Sequence, residues 1–145
     1  MSDKSFFFIA CLMILPWAGF AANKLTVSGS PATMRVNAAV AGSQPTNRVN
    51  STTTYRVQTD NNIHSITGSI STSMAAGVTL SCQLQAPTTG TSAGSVALTT
   101  TAQNLVTGIS GITSPQTKTI TYTLSANVSA GAVASTSVTV TLTLN

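Results

Sequence analysis

From residue 22 onward, apolar and polar positions alternate along most of the chain, and Val, Ile and Thr dominate the alternation. That is the period of a half-buried strand, and no comparable stretch repeats at the helical spacing. Three runs are clean. Val78 to Leu84 is stopped by Pro87, Thr119 to Leu124 places Ile120, Tyr122 and Leu124 on one face, and Val138 to Leu144 alternates apolar residues with Thr. Shorter alternating runs lie at Lys24 to Ser28, Thr33 to Ala39, Thr53 to Thr59, Ile63 to Ser71 (Ile66 and Ile70 inward), Val96 to Thr100 and Leu105 to Ile109. Asp60-Asn61-Asn62 predicts a tight turn, and loops are expected at 42–50, 87–94, 110–116 and 127–132. Seven to nine short strands at this spacing predict an all-β fold, an antiparallel immunoglobulin-like β-sandwich. No fixed-period repeat points to a solenoid.

The first 21 residues read differently. Lys4 precedes an unbroken apolar run from Phe6 to Leu15, Pro16 breaks it, and Gly19-Phe20-Ala21 offers small residues where a signal peptidase reads. This predicts a cleaved secretory signal ending at Ala21, and export. The expected organisation is a signal peptide at 1–21, an N-terminal extension with the first strand at 22–41, and a sandwich at 42–145. Removing the leader changes the composition. Five of the seven aromatics leave with it, so Tyr55 and Tyr122 remain, with one cysteine (Cys82) and one acid (Asp60). Five bases keep the net charge at +4, and Thr and Ser make up 43 of the 124 remaining residues (26 and 17).

Cys82 lies in phase with Val78, Leu80 and Leu84, which predicts a buried apolar thiol. An intermolecular disulfide is the alternative for an odd cysteine in a secreted chain. The expected core is light, and a strand donated by another chain would supply the missing contacts.

Little in the chain is suited to catalysis. A triad would have to use Asp60, His64 and a serine, and no nucleophile-elbow motif is present. A metal site would draw on Asp60, His64 and Cys82, without a ligand spacing to support it. Glycine patterns for phosphate or dinucleotide binding are missing, and the bases are scattered rather than gathered into a stripe. The expectation is a non-enzyme with no cofactor, no metal, no nucleic-acid partner and no small-molecule substrate. Thr119, Thr121 and Thr123 share a face, as do Thr139, Thr141 and Thr143. Such arrays resemble ice-binding surfaces but lack their fixed period, and Thr suits the solvent face of a strand. Asn50 and Asn127 stand in glycosylation sequons, which matter only in a eukaryotic secretory pathway.

Strand edges are the informative feature. Soluble β-proteins guard edges with charges or proline, yet there is no Lys, Arg, Asp or Glu between Asp60 and Lys118, and none after Lys118. Such edges are either covered within the fold or paired with another chain by strand addition. On these residues the chain resembles subunits of chaperone–usher pili. Lys24-Leu25-Thr26-Val27-Ser28-Gly29-Ser30 resembles the donor segment of such subunits, with Leu25 and Val27 as pocket residues and Gly29 as a small one. Gly131, followed by alternating Val138, Val140, Leu142 and Leu144, resembles the terminal strand that borders the acceptor groove. The resemblance implies an incomplete sandwich completed by a donor strand, and a homopolymer at the cell surface built after passage through the periplasm. It also implies a periplasmic chaperone and an outer-membrane usher as partners, and a contribution to adhesion or biofilm. Two family features are missing: a disulfide pair, and a penultimate aromatic where Leu144 stands. Rival expectations are a monomeric β-sandwich binding module and a self-assembling matrix protein.

Overall fold

A computed structural model describes residues 22–36, 43–131 and 133–145. The leader reading of residues 1–21 and the part of the Thr33 to Ala39 run beyond residue 36 lie outside the described residues. Among the described residues nine strands form: β1 Lys24–Ser28, β2 Arg48–Gln58, β3 His64–Ile70, β4 Val78–Leu84, β5 Thr91–Ser92, β6 Val96–Ala97, β7 Gln103–Ile109, β8 Gln116–Ala126 and β9 Val140–Leu144. They make two sheets, ordered β1-β2-β8-β4-β6 and β5-β7-β3-β9, and every pairing is antiparallel. The fold is an immunoglobulin-like sandwich, open rather than closed into a barrel.

The period-2 pattern sets the faces. Tyr55 and Val57 on β2, Ile66 and Ile70 on β3, Cys82 and Leu84 on β4, and Ile120 and Tyr122 on β8 all turn into the core. The two tyrosines are the aromatic side chains among the described residues. Tyr55 lies wholly buried and its hydroxyl donates to the Gln85 carbonyl at 2.6 Å, which satisfies the one polar atom its burial would otherwise strand. Burial pushes both phenols up to about 12. Cys82 sits opposite Tyr122, is free and buried, and its thiol is pushed up to about 12 by that burial. A buried thiol behaves as a small apolar group. Gly68 on β3 is buried between Leu105 of β7 and Leu142 of β9; an added Cβ would lie 2.6 Å from one and 3.2 Å from the other.

Several sequence expectations are corrected. Arg48–Asn50 are strand rather than loop, because pairing with Leu124, Thr123 and Tyr122 of β8 extends β2 past a bulge between Asn50 and Thr53. Asn50 accepts from the Thr52 main-chain N–H and hydroxyl there, and these local bonds stand in for the interrupted ladder. Thr91–Ser92 form a short strand inside the expected 87–94 loop. Residues 33–36 take no regular structure. β9 begins at Val140, not Val138. Ile63 is 81% exposed, and β3 starts one residue later. The Asp60–Asn62 turn carries the chain from one sheet to the other, so it does not close a hairpin.

Candidate functional site: the seam between the first and last strands

The two long sides of the sandwich are built differently. On one side, β5 and β6 are joined by a short crossover that passes from one sheet to the other. Ser92 Oγ donates to the Leu84 carbonyl at 2.6 Å, the Ala93 N–H to Leu105, and the Leu98 N–H to Leu80. The first bond ties β5 to β4 of the other sheet, and the other two extend the pairing of β5 and β6 with their inner neighbours. On the other side, β1 and β9 are the outer strands of their sheets and lie against one another. They share no ladder of hydrogen bonds.

Register shows which side chains face the gap. Leu25 and Val27 stand directly opposite the buried Val57 and Tyr55, so they share the inward face. Leu25 is only half-buried, and Val27 is 45% exposed. On β9, Val140, Leu142 and Leu144 stand opposite Ile70, Gly68 and Ile66, all buried, and yet are themselves half-buried. Val138, just ahead of the strand, is half-buried against the same core. An inward row that stays partly wet marks a core left uncovered along this seam.

Along its outer edge the main chain of β9 is equally unpaired among the described residues. Ser65 and Asn145 exchange both N–H···O bonds at 3.1 and 2.9 Å, and the Ser71 N–H donates to Thr139. Antiparallel alternation makes Thr67/Thr143 and Ser69/Thr141 the other bonded pairs. It leaves the N–H and C=O groups of Val140, Leu142 and Leu144 pointing out of the sheet edge. The four strands of this sheet carry no Lys, Arg, Asp or Glu, so no charge guards that edge.

β1 covers only part of its neighbour, pairing with Thr54 to Gln58. Gly29 then takes φ +81°, a left-handed conformation that lets the chain leave β2 beside the Thr52 carbonyl. Beneath this departure Thr53 is fully buried, and its Oγ1 makes no hydrogen bond among the described residues. At the far end of the seam lies an open cavity of about 390 Å³, lined in part by Met34, Met74, Val78, Leu124 and Val133. Gly131 closes the single 3₁₀ turn, Val128–Ala130, at its rim.

The near end is polar. Asp60 gathers four bonds on its carboxylate: from His64 Nε2 at 2.9 Å, the Asn62 N–H at 2.9 Å, Asn62 Nδ2 at 2.9 Å and Asn23 Nδ2 at 3.4 Å. Its own N–H donates to Asn23 Oδ1 at 2.8 Å, and its carbonyl accepts from Gly111. The bonds from His64 and then from Asn62 hold the carboxyl at about 2. His64 Nδ1 faces the Asn145 main-chain oxygen at 3.0 Å, so both ring nitrogens meet acceptors and neither meets a serine. The Asp60 bond holds the imidazole above its ordinary value.

The positions picked out by pattern thus fall on the two flanks of one seam: Leu25, Val27 and Gly29 on one, Val138, Val140, Leu142 and Leu144 on the other. Asp60 and His64 are paired at its end, while Cys82 is apart from them in the core. Among the described residues no three His, Cys, Asp or Glu side chains cluster as metal ligands would. Pattern reading missed Asn23 and Asn145, which lie far from Asp60 and His64 in sequence and are drawn to them only by folding. The five-stranded sheet turns Thr117, Thr119, Thr121 and Thr123 outward, where Thr121 meets Ser51 at 3.1 Å. Comparisons with family models, curated proteins and solved structures return no match.

Proposed function

We propose that the chain is a secreted structural subunit that assembles by strand addition along the seam between β1 and β9. One observation carries this reading: the inward row of β9 is half-buried while the main-chain groups of the same residues, Val140, Leu142 and Leu144, point out unpaired. An added strand would satisfy those groups and bury that row together, which is how strand addition divides affinity and specificity. The occupant is a second copy of this chain, as in the chaperone–usher pili it resembles. Leu25 and Val27 are the donor residues of this proposal, and β9 is the acceptor. Export, a periplasmic chaperone, an outer-membrane usher, the surface location and a part in adhesion or biofilm come with that resemblance. The proposed role involves no catalysis and no cofactor.

The test is Leu142→Lys, which sets a charge on the seam without touching the bonds of β9 to β3. Size-exclusion chromatography and electron microscopy should show folded monomer where the parent chain forms filaments. Filaments in undiminished amount would overturn the assignment of β9 as acceptor. Deleting residues 22–31 tests the donor in the same way.

A further inference from the structure

The seam ends in a cluster that the assembly reading does not use. Asp60 is the one carboxylate side chain among the described residues, and it is bound by residues from three parts of the fold. Asn23 leads into β1. His64 opens β3 and reaches Asn145 at the end of β9. Both strands that border the seam are therefore tied, within one residue of their ends, to a single histidine–carboxylate pair.

The decisive geometry is at the imidazole. Its Nε2 lies 2.9 Å from Asp60 Oδ1 and its Nδ1 lies 3.0 Å from the Asn145 oxygen. Both partners only accept. A neutral imidazole has one N–H and one lone pair, so it can satisfy one of them and must turn its lone pair on the other. The imidazolium has two N–H groups and satisfies both. We infer that His64 is a pH-sensitive clasp: protonated, it pins the end of β9 to the Asp60 turn that also holds the start of β1, and on losing its proton it releases one of the two.

The surroundings add no competing charge. On β7 the residue opposite His64 is Ile109, which is not ionisable, and beyond the end of β9 the ring meets the main-chain oxygen of Asn145, an acceptor that is itself a carboxylate oxygen where the chain ends at that residue. Asp60 from the turn is the charged group that acts on the ring. Linkage fixes the sign. The imidazole holds its proton more tightly in the fold than in the unfolded chain, so its contribution is full below about 6.5 and is lost as pH rises through the higher folded value. The Asp60 carboxyl runs the other way: its contribution is present above 3.8 and is lost as pH falls through about 2. The clasp is tightest between these limits, and the seam loosens as pH rises through the folded value of His64.

The clasp deepens the assembly reading, because it acts on the strands that border the same seam, but its test reads the monomer and does not depend on assembly. Imidazole resonances of the full chain, kept dilute enough to remain monomeric, are followed by NMR as pH is raised. Amide hydrogen exchange at Thr141 and Thr143 is measured over the same range and corrected for intrinsic rate. His64 should titrate above 6.5 and move back toward it in Asp60→Asn. Corrected exchange of the two β9 amides should rise severalfold across the titration in the parent chain and stay flat in His64→Gln, which cannot ionise. Titration at or below 6.5, or the same rise in His64→Gln, would overturn the inference. Loss of the clasp with filaments intact would leave strand addition standing; loss of filaments with the titration intact would leave the clasp standing.

Discussion

The closed and open sides of the sandwich use strands of similar composition and reach opposite results. At the β5–β6 side the edge strands have two residues each, and the chain between them crosses from sheet to sheet. Short edges expose few unpaired groups. Leu98, just after β6, and Leu105 and Val106 of the neighbouring β7 are buried there, while Val96 on β6 itself is half-buried. At the β1–β9 side the edge strands have five residues each, and among the described residues no segment crosses between them. Inward residues of the same apolar kind stay half-wet. What separates the two sides is therefore coverage rather than side-chain chemistry.

The largest test of this contrast compares Leu105→Ala with Leu142→Ala. The two leucines flank Gly68 from opposite sides, but only Leu105 is fully buried. Truncating it should cost about 2–5 kcal/mol in urea unfolding. Leu142→Ala should cost the monomer about 1 kcal/mol, because much of its surface is already in water. Equal losses would break the comparison. Next, Ser92→Ala removes the 2.6 Å bond that staples the closed side to the Leu84 carbonyl, with an expected loss of about 1 kcal/mol and a fall in Tm of several degrees. A fall of that size from an exposed hydroxyl on the open side, such as Thr143→Ala, would remove the distinction. Thr53→Val should go the other way. It replaces a buried, unbonded hydroxyl by a methyl of the same shape, and a gain of up to about 1 kcal/mol is expected. The smallest effect is at Cys82. With the thiol buried and pushed up to about 12, alkylation by iodoacetamide should be negligible until the chain unfolds. Rapid labelling of folded protein would mean that the core opens well beyond the seam.

Much of the fold was legible in the alternation. β1 and β4 fall where the pattern placed them, and Tyr55, Ile66, Ile70, Cys82 and Ile120 are buried as their phase required. The strands that pattern missed or shortened depend on partners. Thr91–Ser92 is too brief to show a period and is strand because Thr107 and Val106 pair with it. Arg48–Asn50 ends a stretch punctuated by Gly42, Pro45 and Asn47 and is strand because β8 runs on beside it. In both places tertiary pairing outweighs local preference. The candidate site was half legible. Apolar alternation marked both flanks of the seam, but nothing in either flank indicated that they would lie together.

Side-chain direction in a strand is a local property with a period of two residues, so the chain's own order decided which residues of each strand face inward, and the shortage of charge decided that no edge after Asp60 would be guarded electrostatically. Which edges meet solvent is a property of pairing over long separations. Asn23 reaches Asp60 across 37 positions and His64 reaches Asn145 across 81. Only the folded arrangement set β1 and β9 on one open side and closed the other, and only there do a turn acid, a strand histidine and the two ends of the sandwich meet.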